Sequence, residues 1–407
     1  MSRVVITGMG IYSSIGQDLE SVTHSLRNGI SGIGIDPERK EHGFRSALTG
    51  ILPEPELKPL LSRRQRTGLP DQGGYAYIST RQALEMAGIT DAILDEEAIG
   101  ILYGNDSSAK PVSQALDQLR IKKDTTLIGS GAIFQGMNST VSMNLSTIFR
   151  LKGINMTISA ACASGSHSIG LGDILIKHGL QNKIICGGAQ EVNYQSMGSF
   201  DGLSTFSTRE DKPSEASRPF DTGRDGLIPS GGAATVILES LESAKKRGAN
   251  ILGEVIGYGF SSNGKHISHP DSEGSASAIR IALQDAALTP KDIPYINAHA
   301  TSTPAGDIQE GKAILEVFGN NGPLISSTKS MTGHEMWMAG ASEIVYSLLM
   351  MHNGFIAPNI NLQNVDSELA NLAIAKTTIN QEFDLFLSNS FGFGGTNSSL
   401  IIKKYDD

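Results

Sequence analysis

The chain has 407 residues, and 33 basic against 42 acidic side chains leave a formal net charge of −9. This acidic balance argues against nucleic acid as a main partner, because phosphate binding needs a basic excess. An apolar content of 39% excludes a disordered chain, and two cysteines, Cys162 and Cys186, cannot form a disulfide framework. No run approaches the ~18 apolar residues of a membrane span, so we expect a cytoplasmic protein without a membrane partner.

In chain order, short β-rich runs alternate with helical patterns. The predicted strands are Val4–Thr7, Ile99–Tyr103, Asn155–Ser159, Lys183–Cys186, Ala233–Glu239, Glu254–Tyr258, Tyr295–Ala298, Leu324–Ser326, Leu385–Ser388 and Ser399–Lys403. The predicted helices include Leu19–Arg27, Ser79–Ala87, Ser275–Ala287, Asp307–Phe318 and Gly340–His352. This alternation predicts an α/β protein with layered, buried sheets.

The chain also contains a faint internal repeat. Val5–Ser14 resembles Val255–Ser262, and both open a pattern of a strand followed by a glycine turn. Residues 159–175 and 326–350 each combine a strand end of small residues, a sharp turn and a helix. These pairs predict two related halves whose turns meet in one central cleft.

Cys162 is the candidate nucleophile. It lies among small residues where a predicted strand gives way to a helix, and a helix N-terminus favours the thiolate. The alternative is a small cysteine packed in the core. Cys186 lies within an apolar strand and is expected to be inert.

Two histidines and a glycine-rich loop are further candidates. His299 and His334 each follow a predicted strand end among Ser and Thr residues, without the spacing of metal ligands. The segment Phe391–Gly395 suits a loop that presents backbone N–H groups, although a plain turn is the commoner interpretation. One cysteine, two histidines, Lys329 and this loop together suggest acyl transfer followed by carbanion chemistry.

These motifs identify a resemblance. The sequence is similar over its whole length to β-ketoacyl-acyl-carrier-protein synthases of the ketosynthase I/II type, in the thiolase superfamily. The segments around Cys162, His299, Lys329–His334 and Phe391–Asn397 occur in the family's order and spacing. The resemblance implies a layered α-β-α-β-α thiolase-like fold from two related halves. Residues 1–250 would hold the nucleophilic cysteine, and residues 251–407 would hold both catalytic histidines.

The resemblance also implies an acyltransferase reaction. It is the decarboxylative Claisen condensation of malonyl-carrier protein with an acyl chain on Cys162, in fatty acid chain elongation. His299 and His334 would stabilise the enolate, while Lys329 and Glu310 would form the charged pair that orients His334. The backbone N–H groups of Cys162 and Phe393 would form an oxyanion hole.

Binding roles follow from the same resemblance. Thr301 and Thr303 match positions that bind the phosphopantetheine arm, and Gly392, Phe393, Gly394 and Gly395 match a gating loop. Acyl carrier protein is the expected partner, and it brings the substrates without a separate cofactor or metal. Basic residues that match its docking regions are Arg63, Arg64, Arg66, Arg120, Lys122 and Lys123, although a solvated face is the commoner interpretation of such clusters. A homodimer is expected, with Gln135–Val141 closing the partner's acyl tunnel, and a heterodimer is possible.

Two departures from the family leave alternatives open. Ala300 stands where glycine is usual, and Met336-Trp337-Met338 replaces small residues after His334. These bulky residues either reshape the acyl pocket or repack an interface between layers or subunits. A reshaped pocket would fit a ketosynthase for a specialised polyene or polyketide product. A non-catalytic chain-length-factor subunit is a further alternative, and the presence of Cys162 speaks against it.

Overall fold

The structure, a computed structural model, describes residues 2–320 and 322–406. The strands are β1 (Val4–Ser13), β2 (Ile33–Ile35), β3 (Leu48–Gly50), β4 (Gly100–Gly104), β5 (Asn155–Ile158), β6 (Lys183–Gln190), β7 (Gly232–Ser240), β8 (Gly253–Ser262), β9 (Tyr295–Asn297), β10 (Leu324–Ser326), β11 (Ala373–Ile374), β12 (Leu385–Phe391) and β13 (Thr396–Lys403). The helices are α1 (Leu19–Asn28), α2 (Pro37–Glu41), α3 (Arg63–Thr67), α4 (Asp71–Met86), α5 (Asp91–Glu96), α6 (Ala109–Lys122), α7 (Ala132–Gly136), α8 (Thr140–Ile148), α9 (Ser164–Lys177), α10 (Tyr194–Gly202), α11 (Leu241–Lys246), α12 (Ser272–Asp285), α13 (Pro304–Phe318), α14 (Lys329–Thr332) and α15 (Ala339–Asn353). Within the described ranges, no helix combines the length and the apolar character that a membrane crossing requires.

The strands form two related groups. One has the order β5-β4-β6-β7-β1, the other β11-β10-β9-β12-β13-β8, and antiparallel pairing of β1 with β8 over Val4–Ile6 joins them. In each group the first strand in the chain pairs antiparallel with the last long strand: β1 with β7, and β8 with β13. A separate two-stranded antiparallel sheet is formed by β2 and β3, and the strand pattern had not predicted it.

Alternating side chains on the strands place a helical layer on each face. Leu102 and Val236 point into the central core with α9 and α15, whereas Ile101 and Ile237 point toward α4. In the second group, Leu400 faces α15 and Ile401 faces α12. The layers therefore run α-β-α-β-α, as predicted, with α9 and α15 in contact at the centre.

The internal repeat has a packing reason. A Cβ at Gly10 in β1 would lie 2.0 Å from the carbonyl oxygen of Ser79 in α4. A Cβ at Gly259 in β8 would lie 1.9 Å from the carbonyl oxygen of Ala278 in α12. Glycine is required at both places because an outer helix lies directly against the strand.

The two central helices begin side by side. Gly165 opens α9 against the backbone of Ala341, and Gly340 opens α15 against the backbone of Ser166, each so close that a Cβ would clash. The turns that precede these helices consequently meet at the centre of the molecule. Cys162 lies in one turn and His334 in the other.

Candidate active site

Cys162 lies in the short turn between β5 and α9. Ala161 adopts a left-handed φ of 46°, and its N–H donates a hydrogen bond to Asp106 Oδ2 at 2.9 Å. Ser164 Oγ accepts from Ala160 N at 2.9 Å and donates to Ala161 O at 2.6 Å. This turn is held from both sides, and it presents a thiol that is only 6% exposed.

His334 reaches the same point from the other half of the chain. Gly333, with φ of 70°, ends α14, and the His334 N–H donates to Ile228 O at 2.7 Å. His334 Nε2 lies 3.1 Å from Cys162 Sγ. The two residues are 172 positions apart, so tertiary packing alone creates this contact.

His299 follows β9 and is fixed through its backbone. Glu310 accepts the N–H groups of His299 at 2.9 Å and Ala300 at 2.6 Å, and Asn389 Nδ2 donates to the same carboxylate at 3.1 Å. The His299 ring lies 5.2 Å from the ring of His334, nearly perpendicular at 88°. Cys162 and both histidines line one cavity of about 450 Å³.

Lys329 has a different partner from the one expected. Its Nζ forms a hydrogen-bonded ion pair with Glu343 of α15, and both side chains are buried. Glu310 is committed instead to the backbone of His299 and Ala300. The predicted pairing of Lys329 with Glu310 is therefore wrong, because α15 brings an acid that the local sequence around Lys329 does not contain.

Burial dominates the electrostatics. It raises the pKa of the Cys162 thiol to about 12, while the charge of Lys329 acts in the opposite direction. This contradicts the low thiol pKa that we expected from the helix N-terminus, because loss of water outweighs that effect here. Burial, and then the charge of Lys329, hold the pKa values of His299 and His334 well below the ordinary value, so both rings are neutral.

The remaining predicted contacts lie around the cavity. Thr301 and Thr303 line it, with their hydroxyl oxygens 3.0 Å apart. Phe393 also lines it, and the centroid of its ring lies 6.1 Å from that of Phe200 in a stacked arrangement. Next to it, Gly394 has φ of 77°, and its N–H donates to Ile267 O at 2.6 Å.

Comparison with known proteins agrees with this arrangement. The sequence models "Beta-ketoacyl synthase, N-terminal domain" and "Beta-ketoacyl synthase, C-terminal domain" match residues 1–244 and 252–363. The chain belongs to the β-ketoacyl synthase family. It is 41% identical to 3-oxoacyl-[acyl-carrier-protein] synthase 1 of Haemophilus influenzae, over 100% of both chains.

Solved structures of β-ketoacyl synthases share the fold. A β-ketoacyl synthase from Burkholderia phymatum STM815 is similar with a TM-score of 0.95 and 35% identity, over 100% of both chains. A chain from the complex of a type II PKS acyl-carrier protein with its ketosynthase, bound to the hexaketide, has a TM-score of 0.90 and 28% identity. It covers 99% of this chain and 100% of that one. The resemblance inferred from the motifs and the thiolase-like fold are both confirmed.

The basic residues singled out in this β-ketoacyl synthase lie on the surface. Arg63 and Arg64 on α3 are exposed, and Arg66 is half-buried, donating from Nε to Leu61 O at 3.2 Å. At the end of α6, three further basic residues are exposed: Arg120, Lys122 and Lys123. Between the two clusters lies α7, whose Gln135 Nε2 donates to Thr67 O at 2.9 Å.

Sequence reasoning missed three residues of the site. They are Glu343, which pairs with Lys329; Asn389, which binds Glu310; and Phe200, which lies under Phe393. Glu343 carried a usable signal, because a single acid in a helix that is otherwise apolar and buried needs a buried cation. The other two depend on contacts between distant segments, and their local patterns are ordinary.

Proposed function

We propose that this protein is a 3-oxoacyl-[acyl-carrier-protein] synthase that elongates fatty acyl chains. The observation that carries the proposal is the 3.1 Å contact between Cys162 Sγ and His334 Nε2. A second neutral histidine, His299, lines the same cavity, and the centroid of its ring lies 5.2 Å from that of His334. One nucleophile beside two hydrogen-bond donors suits acyl transfer followed by enolate formation.

In the first step, Cys162 Sγ attacks the thioester carbonyl of an acyl-carrier protein. The sulfur–carbon bond to Cys162 forms, the bond to the pantetheine sulfur breaks, and the thiol proton leaves with that sulfur. His334 Nε2 lies within hydrogen-bond distance of the attacking sulfur, and its N–H can donate to that sulfur as negative charge develops on it. Because burial raises the pKa of the Cys162 thiol to about 12, the attack starts from the thiol and not from the preformed thiolate that we expected from the sequence.

In the second step, malonyl-carrier protein loses carbon dioxide, and the electron pair of the broken carbon–carbon bond forms an enolate. Nδ1 of both His299 and His334 is buried without a hydrogen-bond partner. A buried N–H without an acceptor costs more than a buried lone pair, so we assign the single ring proton to Nε2. Two neutral Nε2–H groups then donate to the enolate oxygen, each worth about 3–4 kcal/mol to the barrier.

In the third step, the carbanion attacks the acyl-Cys162 carbonyl and releases the sulfur of Cys162. Backbone N–H groups of Cys162 and Phe393 are proposed to hold the developing oxyanion. Burial and the positive charge of Lys329 together lower the pKa of both histidines, so Lys329 helps to keep both rings neutral. Glu310 is a positioning residue that fixes the backbone of His299.

The carrier protein and its arm are proposed partners. Thr301 and Thr303 line the cavity mouth with hydroxyl groups that suit the amides of a phosphopantetheine arm. The exposed cations of α3 and α6 would dock an acidic carrier protein. Gly392 to Gly395 would gate the cavity by moving Phe393. A cytoplasmic location and a boundary between the halves at residue 250 stay predictions.

A homodimer is the proposed assembly. Strand β5 is an edge strand, and Met156 on it is 51% exposed. On α7, Ile133 is 66% and Phe134 53% exposed. Unpaired backbone beside large exposed apolar side chains suits a two-fold contact that continues the sheet.

The deciding experiment separates the nucleophile from the decarboxylation site. Cys162→Ala should abolish condensation, and Cys162→Gln should abolish acylation while it keeps malonyl-carrier protein decarboxylation. Cys186→Ala is the matched control, because Cys186 is buried in β6 and should leave turnover near normal. Undiminished condensation by Cys162→Ala would refute the assignment.

A further inference from the structure

The three bulky residues Met336–Met338, which follow His334, pack into two different apolar clusters. Met338 belongs to the large central core between the sheets. Met336 and Trp337 instead join a small cluster around Cys162 whose other buried members are Met197, Phe206 and Leu227. The interpretation that the bulky segment packs between layers thus holds for Met338 alone.

The indole of Trp337 is held in one orientation. Its Nε1–H donates to Ser107 Oγ at 3.2 Å, and its ring lies 6.1 Å from the ring of Phe200. The backbone of Ser107 is tied down in turn, because Gln72 Nε2 donates to its carbonyl oxygen at 3.3 Å. Polar and apolar contacts together prevent the indole from turning away.

The backbone of Trp337 cannot retreat either. Its carbonyl oxygen lies against β6, where a Cβ at Gly188 would be only 2.6 Å away. The side chain is 6% exposed. An acyl chain that needs this space must therefore displace the indole itself.

An acyl chain on Cys162 needs apolar room that the pantetheine arm does not occupy. The arm must use the 450 Å³ cavity with Thr301 and Thr303 during condensation, and Phe200 and Met336 also line this cavity. Trp337 belongs to the same apolar cluster around Cys162 as Phe200 and Met336, and it lies outside the lining of the cavity. The chain therefore has to enter the cluster toward Trp337.

We propose that Trp337, oriented by Ser107, forms the end wall of the acyl pocket and restricts the protein to short acyl chains. This inference rests on the proposed function, which supplies the acyl-cysteine. An aromatic side chain covers roughly 200 Å², the apolar area of about six methylene groups. Each methylene that finds no room loses roughly a fourfold preference.

The test is acylation of Cys162 in the full-length protein by acyl-pantetheine thioesters from acetyl to tetradecanoyl, followed by intact mass. Wild type should react with acetyl and butanoyl thioesters and at least about 100-fold more slowly with tetradecanoyl. Trp337→Ala should bring tetradecanoyl to within about tenfold of butanoyl. Ser107→Ala should extend the accepted length by a smaller amount, because the indole stays but loses its anchor.

Met338→Ala is the matched control, since it trims the same segment on the core side. It should lower the melting temperature and leave the chain-length profile unchanged. Wild type that takes tetradecanoyl as fast as butanoyl would overturn the inference and leave the proposed function intact. Absence of acylation with every thioester would overturn the proposed function instead. If Trp337→Ala does not fold, the inference is decided by the acylation rates of the wild type and of Ser107→Ala with the same series of thioesters.

Discussion

Replacing Lys329 by methionine tests the buried ion pair at the centre of the site. Lys329 and Glu343 are 2% and 1% exposed, so the change leaves a carboxylate in the core without its cation. Removing one partner of a buried pair costs about 3–5 kcal/mol. Protonation of Glu343 limits this loss, because burial favours the neutral carboxyl and raises its pKa, and Lys329 no longer opposes that shift in the variant.

The magnitude at neutral pH follows from that protonation. An unfolded glutamate with an ordinary pKa near 4.5 is ionised at pH 7, and neutralising it costs about 3 kcal/mol. At pH 5.5 the same step costs only about 1 kcal/mol. Lys329→Met should therefore destabilise the protein by about 3 kcal/mol at pH 7 and by much less at pH 5.5.

Urea unfolding and malonyl-carrier protein decarboxylation give the two readouts. The double variant Lys329→Met with Glu343→Gln should regain most of the lost stability yet decarboxylate at least about tenfold more slowly, because both histidines lose the positive charge beside them. Lys183→Met is the control, since Lys183 forms a buried pair with Glu239 at 3.1 Å away from the cavity. That variant should lose stability without a comparable loss of decarboxylation. If the stability loss of the double variant equals the sum of the losses of the two single variants, the buried-pair reasoning is refuted. If the double variant decarboxylates at the wild-type rate, Lys329 has a structural role only.

Three further outcomes follow from the geometry. Because burial keeps His299 and His334 neutral, the decarboxylation rate should show no inflection near pH 6.5, and such an inflection would contradict the assigned protonation. Glu335 is buried with hydroxyl donors, and its folded pKa is raised from the ordinary 4.5 to about 7. The folded state therefore holds this proton more tightly than the unfolded state, and the free energy of unfolding falls as the pH rises from 4.5 to 7. Glu335→Gln should make this fall smaller by up to about 3 kcal/mol in urea titrations. Light scattering should give about twice 43.1 kDa, and Phe134→Glu should shift the protein toward monomer, whereas a fully active wild-type monomer would rule out the dimer.

Much of the fold and part of the site could be predicted because the signals are local. The strand and helix alternation follows from side-chain periodicity, and the repeated glycines of β1 and β8 reflect the same close helix contact in both halves. Cys162 and His334 could each be singled out because a strand end, a tight turn and a helix start lie next to one another in the chain.

Other features were decided by tertiary structure. Lys329 pairs with Glu343 rather than Glu310 because α15 passes beside α14 in the core, and a burial-raised thiol pKa replaced the low one expected for Cys162. Neighbouring Met336, Trp337 and Met338 divide between the acyl side and the central core, although they share one segment of sequence. Solvent exclusion and contacts between residues far apart in the chain depend on how whole layers pack. The sequence therefore determined which groups the site contains. Packing determined which partners these groups have, whether they are protonated, and how much space the acyl chain has.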